Sequence, residues 1–368
     1  FLNLGRHPSA GICAAFAGIT FGYGASIVAN GLDATLMEYT ESATKVLDST
    51  YNISVNCNLY FMIASTLLIA YVGMIVTEKF IIPKLGKYDF SDEEKEVISR
   101  EPTKKEKKGV LVALLFLAVI VLVLIYCITP GLPFSGLLLY LKDDLYIEQL
   151  FGSNSYFYQG VVCIFSVLLM IAGLIYGLRV KTIKNNRDFV DGMNYYLKDL
   201  SSILVLIFFV AQFVLIFKQT NIGVFIVVSL SEVLSSMKIT GFALVFIVFL
   251  VVMISSIFVP TASTKWAILS PIVVPMFMQS SLTPEFAQAV FRAADSSVKG
   301  ITPVFTYFVI LIGFLQIYNK KKDDIVTITD AMSLMIPYTI AFSLLWLIIV
   351  ICFYILGLPI GIGVSSVL

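Results

Sequence analysis

The sequence predicts an all-α membrane protein: several spanning helices organised as inverted repeats, with broken helices and a re-entrant helical hairpin. Three observations carry that expectation. Hydrophobic residues make up 58% of 368 and charged residues 13%, with a mean hydropathy of +0.93, far from the composition of a water-soluble domain. Several apolar runs approach the roughly 20 residues that cross a hydrocarbon core. Two regions then interrupt the apolar pattern with Gly, Pro and ionisable residues. Within a bilayer, such interruptions are tolerated only where the freed backbone is buried in protein or lines a cavity.

Along the chain, the first apolar stretch covers 8–29 and is soft, rich in Gly, Ala and Ser. It breaks at Thr20-Phe-Gly-Tyr-Gly-Ala-Ser26, with Asn30 and Asp33 following. Small residues there also let helices pack closely, a plainer reading of the same pattern. A spanning helix is expected over 59–76, ended by Glu78, Lys79, Pro83 and Gly86. Further spans are expected over 110–128, 158–178, 203–217, 242–259, 304–317 and 336–356. The charged stretch 89–108 reads as a solvated linker, dividing the chain into 1–88 (the end of a first repeat) and 109–368 (a second repeat). A re-entrant hairpin is expected at about 256–282.

Loop charge orients these spans. Nine Lys or Arg residues lie between Lys79 and Lys108, whereas 129–155 holds only Lys142 beside Asp143, Asp144 and Glu148. The next loop, 179–198, has five basic residues. Counting Lys and Arg alone, the three loops alternate cytoplasm, exterior, cytoplasm. The loop 33–58, with Lys45 as its one basic residue, then belongs outside, and Lys320, Lys321 and Lys322 inside.

The most informative stretch is 260–303, PTASTKWAILSPIVVPMFMQSSLTPEFAQAVFRAADSSVKGITP. Prolines and small polar residues free backbone groups there, and Lys265, Arg292, Asp295 and Lys299 add charge at membrane depth, which marks a substrate or ion path. Paired interruptions in corresponding positions of two halves point to a midplane site between inverted repeats. Other chemistries lack their residues. His7 is the single histidine, so neither a histidine relay nor a Ser/His triad can be built, and no HExxH or P-loop occurs. The five cysteines are scattered without metal or disulfide spacing. A net charge of +1 without a basic, aromatic-laced patch gives no reason to expect nucleic acid. An ion channel fits a re-entrant segment, but filters are rings of repeated groups, and here the two interrupted regions differ in their polar residues.

At these residues the chain resembles the p-aminobenzoyl-glutamate transporter family. The run STKWAILSPIVVPMFMQSSLTPEFAQAVFRAADSSVKGITPVFTYF looks like its signature, as do LDATL, NLYFMIASTLLIAYVGMIVTEKFIIPKLGKY, FFVAQFVLIFKQTNIG, IPYTIAFSLLW and GLPIGIG. The resemblance runs from about Gly11 to the C-terminus. It implies a multi-pass secondary transporter of the bacterial inner membrane, a homodimer, working by alternating access, with no cofactor and with H+ or Na+ as coupling ion. The implied substrate is p-aminobenzoyl-glutamate or a related aromatic anion on import, or sulfonamide-like antimetabolites on efflux; other dicarboxylates and organic anions are the alternative. The chain opens on Phe1 rather than Met, and the resemblance implies a preceding portion with a first hairpin.

The family's functional positions fall on Asp33, Trp266, Pro284, Arg292 and Asp295. Chemically, an aryl amide bearing a glutamate needs an aromatic wall, which Trp266 supplies, and a carboxylate fork, which Arg292 supplies, with Lys265, Ser263 and Thr264 beside them. Asp33 and Asp295 are expected to hold a coupling cation, a sodium near Asp295 included, or to carry a proton. Plainer readings stand beside these. Arg292 and Asp295 could pair at i, i+3, Trp266 could be packing, and Ser263 and Thr264 could cap the broken backbone. The chain also departs from the family pattern: Ser26 and Ser255 or Ser256 stand where Asn is expected, and Lys299 replaces another Asn. Lys299, four residues after Asp295, is expected to fill the charge slot of a sodium ion.

Overall fold

The computed structural model describes residues 1–88, 90, 102–140, 146–151, 155–237, 239–319 and 325–367. The linker core 91–101, Lys142 to Asp144 and Lys320 to Lys322 therefore lie outside the described residues. The described chain is helical; its only β contacts are isolated bridges, Leu282 to Val367 and Gly361 to Val364. The helices are α1 Pro8–Phe21, α2 Gly31–Thr44, α3 Leu59–Leu85 (with a π turn over Thr77–Ile81), α4 Lys104–Ile128 and α5 Tyr146–Phe151. They continue with α6 Tyr156–Val180, α7 Asn186–Gln219, α8 Ile222–Ser236, α9 Gly241–Phe258 and α10 Ala262–Gln279. The last are α11 Pro284–Val298, α12 Thr306–Ile317 and α13 Ile328–Leu356.

Five of these are long and apolar enough to cross a membrane: α3, α4, α6, α9 and α13. The expected spans at 8–29 and 304–317 are shorter than foreseen. α1 stops at Phe21, where Gly22 and Gly24 follow, and α12 holds twelve residues beginning after Pro303. The run 203–217 is the second half of α7.

The chain forms two compact units. One is Phe90–Leu200. In it α4 and α6 pack along one another, the start of α4 against the end of α6. Gly109 permits the contact, since a Cβ there would meet Val180 Cγ2 at 2.7 Å. Helix α4 starts inside the stretch expected to be linker, because Thr103 and Glu106 form a reciprocal capping box.

The other unit, Phe1–Asp89 with Ser201–Leu368, is built around α11. All fifteen residues of α11 are buried, by α1, α2, α9, α10 and α13. Its N-cap is Thr283, with Pro284 in the first turn, where a missing N–H costs nothing. Aromatic pairs fix the neighbours: Phe61 stacks on Trp346, and Phe286 stacks on Tyr354.

The interrupted backbone is satisfied by side chains, as burial requires. Trp346 Nε1 donates to Phe21 O (3.0 Å) where α1 ends, and Arg292 Nε donates to Gly24 O (3.3 Å) in the following loop. Gly24 lies so close to α11 that a Cβ would sit 2.8 Å from Arg292 O. Across the second interruption, residues 259–261 separate α9 from α10, and 280–283 turn the chain from α10 back along α11.

Candidate functional site: the polar stripe of helix α11

On an α-helix, residues three, four and seven apart share a face. In α11 and the residue after it, Glu285, Gln288, Arg292, Asp295, Ser296 and Lys299 lie on one such stripe, while Phe286, Ala289, Val290, Ala293 and Ala294 fill the rest. Every one of these polar side chains is buried, so each requires a partner.

The partners come from both interrupted regions. Arg292 Nη1 donates to Asp33 Oδ1 in a fully buried ion pair. Asp33 is held in place by its other oxygen, which accepts Asn30 N at 2.7 Å while Asn30 Oδ1 accepts Leu32 N at 2.9 Å. The break after α1 thus ends in a capping box whose carboxylate also faces Arg292. Arg292 Nη2 is buried and has no hydrogen-bond partner among the described residues.

Three residues further on, Asp295 is gripped from two sides. Lys265 of α10 donates to Oδ1, and Lys299 Nζ donates to Oδ2 at 2.9 Å. Ser256, in the last turn of α9, donates to Asp295 Oδ1 (3.1 Å) and accepts from Lys265 Nζ (2.6 Å). The Lys299 ammonium also lies 3.3 Å from the centre of the Tyr23 ring, a cation–π contact. The cluster therefore joins α9, α10, α11 and the first interruption.

Trp266 lies fully buried, its indole 4.6 Å from the Phe291 ring and its Nε1 donating to Thr40 Oγ1 at 2.8 Å. Thr40 in turn contacts Gln288 Oε1 at 2.8 Å. Pro284 opens α11 and is buried. The remaining expected site residues stand apart. Ser26 is engaged in its own loop with Val28 (2.6 Å), Ser263 is half-buried, and Thr264 is exposed at the start of α10. The same-helix pair of Arg292 with Asp295 does not form; each takes a partner from elsewhere in the chain.

Thr40, Tyr23, Gln288 and Glu285 were not singled out from sequence. The signal was present in the three-and-four spacing of polar residues through 285–299, opposite an Ala- and Phe-rich face. The pattern Asn30-x-x-Asp33 likewise spells a capping box. A separate cavity of about 320 Å³ lies between α1, α3 and α13, lined by Ala17, Gly73, Tyr338 and Phe342 among others. None of the stripe residues reaches it, so in this conformation the stripe is sealed by protein.

The sequence matches the "AbgT putative transporter family" over residues 1–368. The p-aminobenzoyl-glutamate transport protein of Escherichia coli (strain K12) is 33% identical over 368 residues, covering 99% of this chain and 68% of that protein. Two solved structures share the fold. The Alcanivorax borkumensis YdaH transporter, described as having an unusual topology, aligns with a TM-score of 0.58 and 27% identity over 98% of this chain and 74% of its own. Neisseria gonorrhoeae MtrF, described as illuminating a class of antimetabolite efflux pumps, aligns with a TM-score of 0.53 and 33% identity over 97% of this chain and 69% of its own. These are transporters, which sets the enzyme and channel readings aside. With interrupted helices, buried charge and apolar spans all consistent with that match, the chain belongs to the AbgT family of membrane transporters.

Proposed function

We propose that this protein is a proton-coupled secondary transporter of p-aminobenzoyl-glutamate or a closely related aromatic carboxylate. It would work by alternating access as a homodimer in a bacterial inner membrane. The observation that carries the reading is Arg292: fully buried, engaged by Asp33 through Nη1, and left with Nη2 unpartnered among the described residues. A guanidinium with an open donor suits a substrate carboxylate, which would take the second arm of the fork or displace Asp33 from the first. Trp266, adjacent in sequence to Lys265, would face the aryl ring once Phe291 moves from its indole.

The coupling ion follows from Asp295. A sodium site needs bare carboxylate or carbonyl oxygens, and here an ammonium group approaches each carboxylate oxygen. Lys299 thus stands in the place of a coupling cation, which favours protons over sodium. The test is uptake of labelled p-aminobenzoyl-glutamate by the full-length protein in proteoliposomes, under a pH gradient and, separately, a sodium gradient. Accumulation driven by the pH gradient alone is expected. Accumulation driven only by sodium would overturn the coupling assignment, and absence of exchange with this probe would overturn the substrate.

A further inference from the structure

Glu285 is the buried carboxylate that the account above leaves unused. It is 2% exposed and lies two turns before Arg292 on the same stripe, about 10 Å along the helix at 1.5 Å per residue. Asp33 has a guanidinium and Asp295 has two ammonium groups, but no ion pair reaches Glu285 among the described residues. Its side-chain partner is the Tyr51 hydroxyl, which donates to Oε2 at 3.0 Å and approaches Oε1 at 3.3 Å.

The surroundings hold little else that is charged. The 45–58 segment brings Lys45, paired with Glu41; Asp48, bonded to Thr50 and acting on Tyr51; Tyr51 itself; and Cys57, whose thiol is pushed up to about 12, first by burial and then by the Glu285 charge, with Arg292 opposing. Of the helices packed on α11, α9 carries no titratable residue, and α1 carries only Cys13. The α10 contribution is Lys265, committed to Asp295, and the α2 contribution is Asp33, committed to Arg292. Glu38, Tyr39 and Glu41 complete the α2 set, and Glu38 and Tyr39 are exposed. From α13, Tyr354 stacks on Phe286 beside Glu285; Asp330, Tyr338 and Cys352 complete that helix. The segment 357–367 holds no titratable residue. Lacking an ion-pair partner among the described residues, and held by Tyr51 and a backbone N–H at the start of α11, Glu285 is the carboxylate of the stripe whose charge is easiest to remove.

Two further observations fit. Asn58, one residue after Cys57, is 1% exposed, with neither amide atom partnered among the described residues. A buried amide in that condition is ordinarily satisfied by water, and Asn58 directly follows Cys57, which senses the Glu285 charge. The charge balance also changes with Glu285. Three cations (Arg292, Lys265, Lys299) face two carboxylates (Asp33, Asp295), a surplus of one positive charge that an ionised Glu285 cancels.

We propose that Glu285, rather than Asp33 or Asp295, is the carboxylate that takes up and releases the coupling proton. The proton comes from water at the Tyr51 end of α11 and returns to water on the other side of the transport cycle. Protonation uncovers the surplus positive charge along the stripe and so favours the anionic substrate at Arg292; release of the proton restores neutrality and favours its departure. This deepens the transport reading and rests on it.

The experiment separates exchange from accumulation, with labelled p-aminobenzoyl-glutamate and the full-length protein in proteoliposomes. A gradient of two pH units supports about 100-fold accumulation for one proton per substrate. Glu285→Gln, which holds the side chain in its neutral form, is expected to retain measurable exchange while gradient-driven accumulation disappears. Glu285→Asp is expected to restore accumulation with a displaced pH profile. Tyr51→Phe, which removes a donor to the charged form, moves the midpoint to higher pH. Accumulation that survives in Glu285→Gln, or that only a sodium gradient drives in the parent, overturns the proposal. If the parent exchanges none of this probe, the substrate reading fails, and infrared difference spectra between about pH 5 and pH 8 decide on Glu285 independently. A protonated-carboxyl C=O band lost in Glu285→Gln and regained in Glu285→Asp supports it. A band unchanged in Glu285→Gln, or absent from the parent, overturns it.

Discussion

Helices α4 and α11 are opposites. Helix α4 has 25 residues, a mean hydropathy of 3.4 over its most apolar 18, and one buried residue, Gly109. Helix α11 has 15 residues, carries Glu285, Arg292 and Asp295, and is buried throughout. In water the placements would be reversed, since charged residues are almost never fully buried there. Here hydrocarbon is the solvent for α4, and the protein interior is the solvent for α11. A charge kept inside such a protein needs partners, and α11 draws them from α2, α9, α10 and the loop after α1. Hydropathy therefore finds the helices that face lipid, while the helix bearing the chemistry is the one it passes over.

The contrast breaks most sharply at Arg292. Arg292→Ala leaves Asp33 as a buried charge without its cation, a loss of about 3–5 kcal/mol. A large drop in the thermal unfolding midpoint of the detergent-solubilised protein, together with loss of uptake, is the expected result. Combining it with Asp33→Asn removes both charges and should recover part of the stability, though not transport. If Arg292→Ala leaves the unfolding midpoint unchanged, the stripe does not hold the fold together as described.

How much of this was legible in the sequence depends on the distance over which each interaction acts. Apolar runs are local, so α3, α4, α6, α9 and α13 could be placed from hydropathy and length. The interruptions, 22–30 after α1 and 259–261 before α10, were visible as the Gly-rich run to Ser26 and as Pro260, because Gly and Pro act on their own backbone, although α10 stays helical through Pro271 and Pro275. Asp33, Trp266, Arg292 and Asp295 were marked by residue type and family pattern, and all lie buried within or against the same stripe. Their pairing was not legible. Arg292 finds Asp33 across 259 residues and Asp295 finds Lys265 across 30, and no local spacing specifies either contact. The i, i+4 contact of Lys299 with Asp295 was foreseen because helix geometry alone sets it. Glu285 was overlooked for the complementary reason: a carboxylate in a first helical turn reads as an ordinary response to the helix dipole, and only tertiary burial makes it unusual.

Lys299 sharpens the comparison at an intermediate scale. Lys299→Asn removes one of two charged donors to Asp295, a loss of about 1.5–3 kcal/mol by the usual worth of such bonds. It also frees a carboxylate oxygen for a cation. Uptake should become responsive to sodium, measured as the ratio of initial rates with sodium and with choline at constant pH. An unchanged ratio would remove Lys299 from the coupling site. Trp266→Phe is expected to cost about 1–2 kcal/mol, because an aromatic contact with Phe291 survives while the hydrogen bond to Thr40 and part of the indole's packing are lost. Its signature should be weaker substrate affinity with only a small shift in unfolding midpoint.

The smallest expected effect tests the other half of the contrast. Leu114 on α4 is 56% exposed. Leu114→Ser should change stability by no more than about 0.5 kcal/mol in detergent, as surface substitutions do. The same kind of change at a buried α11 position, Ala293→Ser, puts a hydroxyl where the protein must supply its partner. That costs about 1–3 kcal/mol if the hydroxyl finds none. Each substitution introduces one hydroxyl, and Leu114→Ser also removes an exposed isobutyl group, so side-by-side unfolding midpoints chiefly compare the surroundings. Equal effects would mean that α4 is covered in the assembled transporter as α11 is in the single chain. A clear excess at Ala293 would mean that the lipid-facing and protein-facing helices are distinguished by what surrounds them, as the sequence of each already suggests.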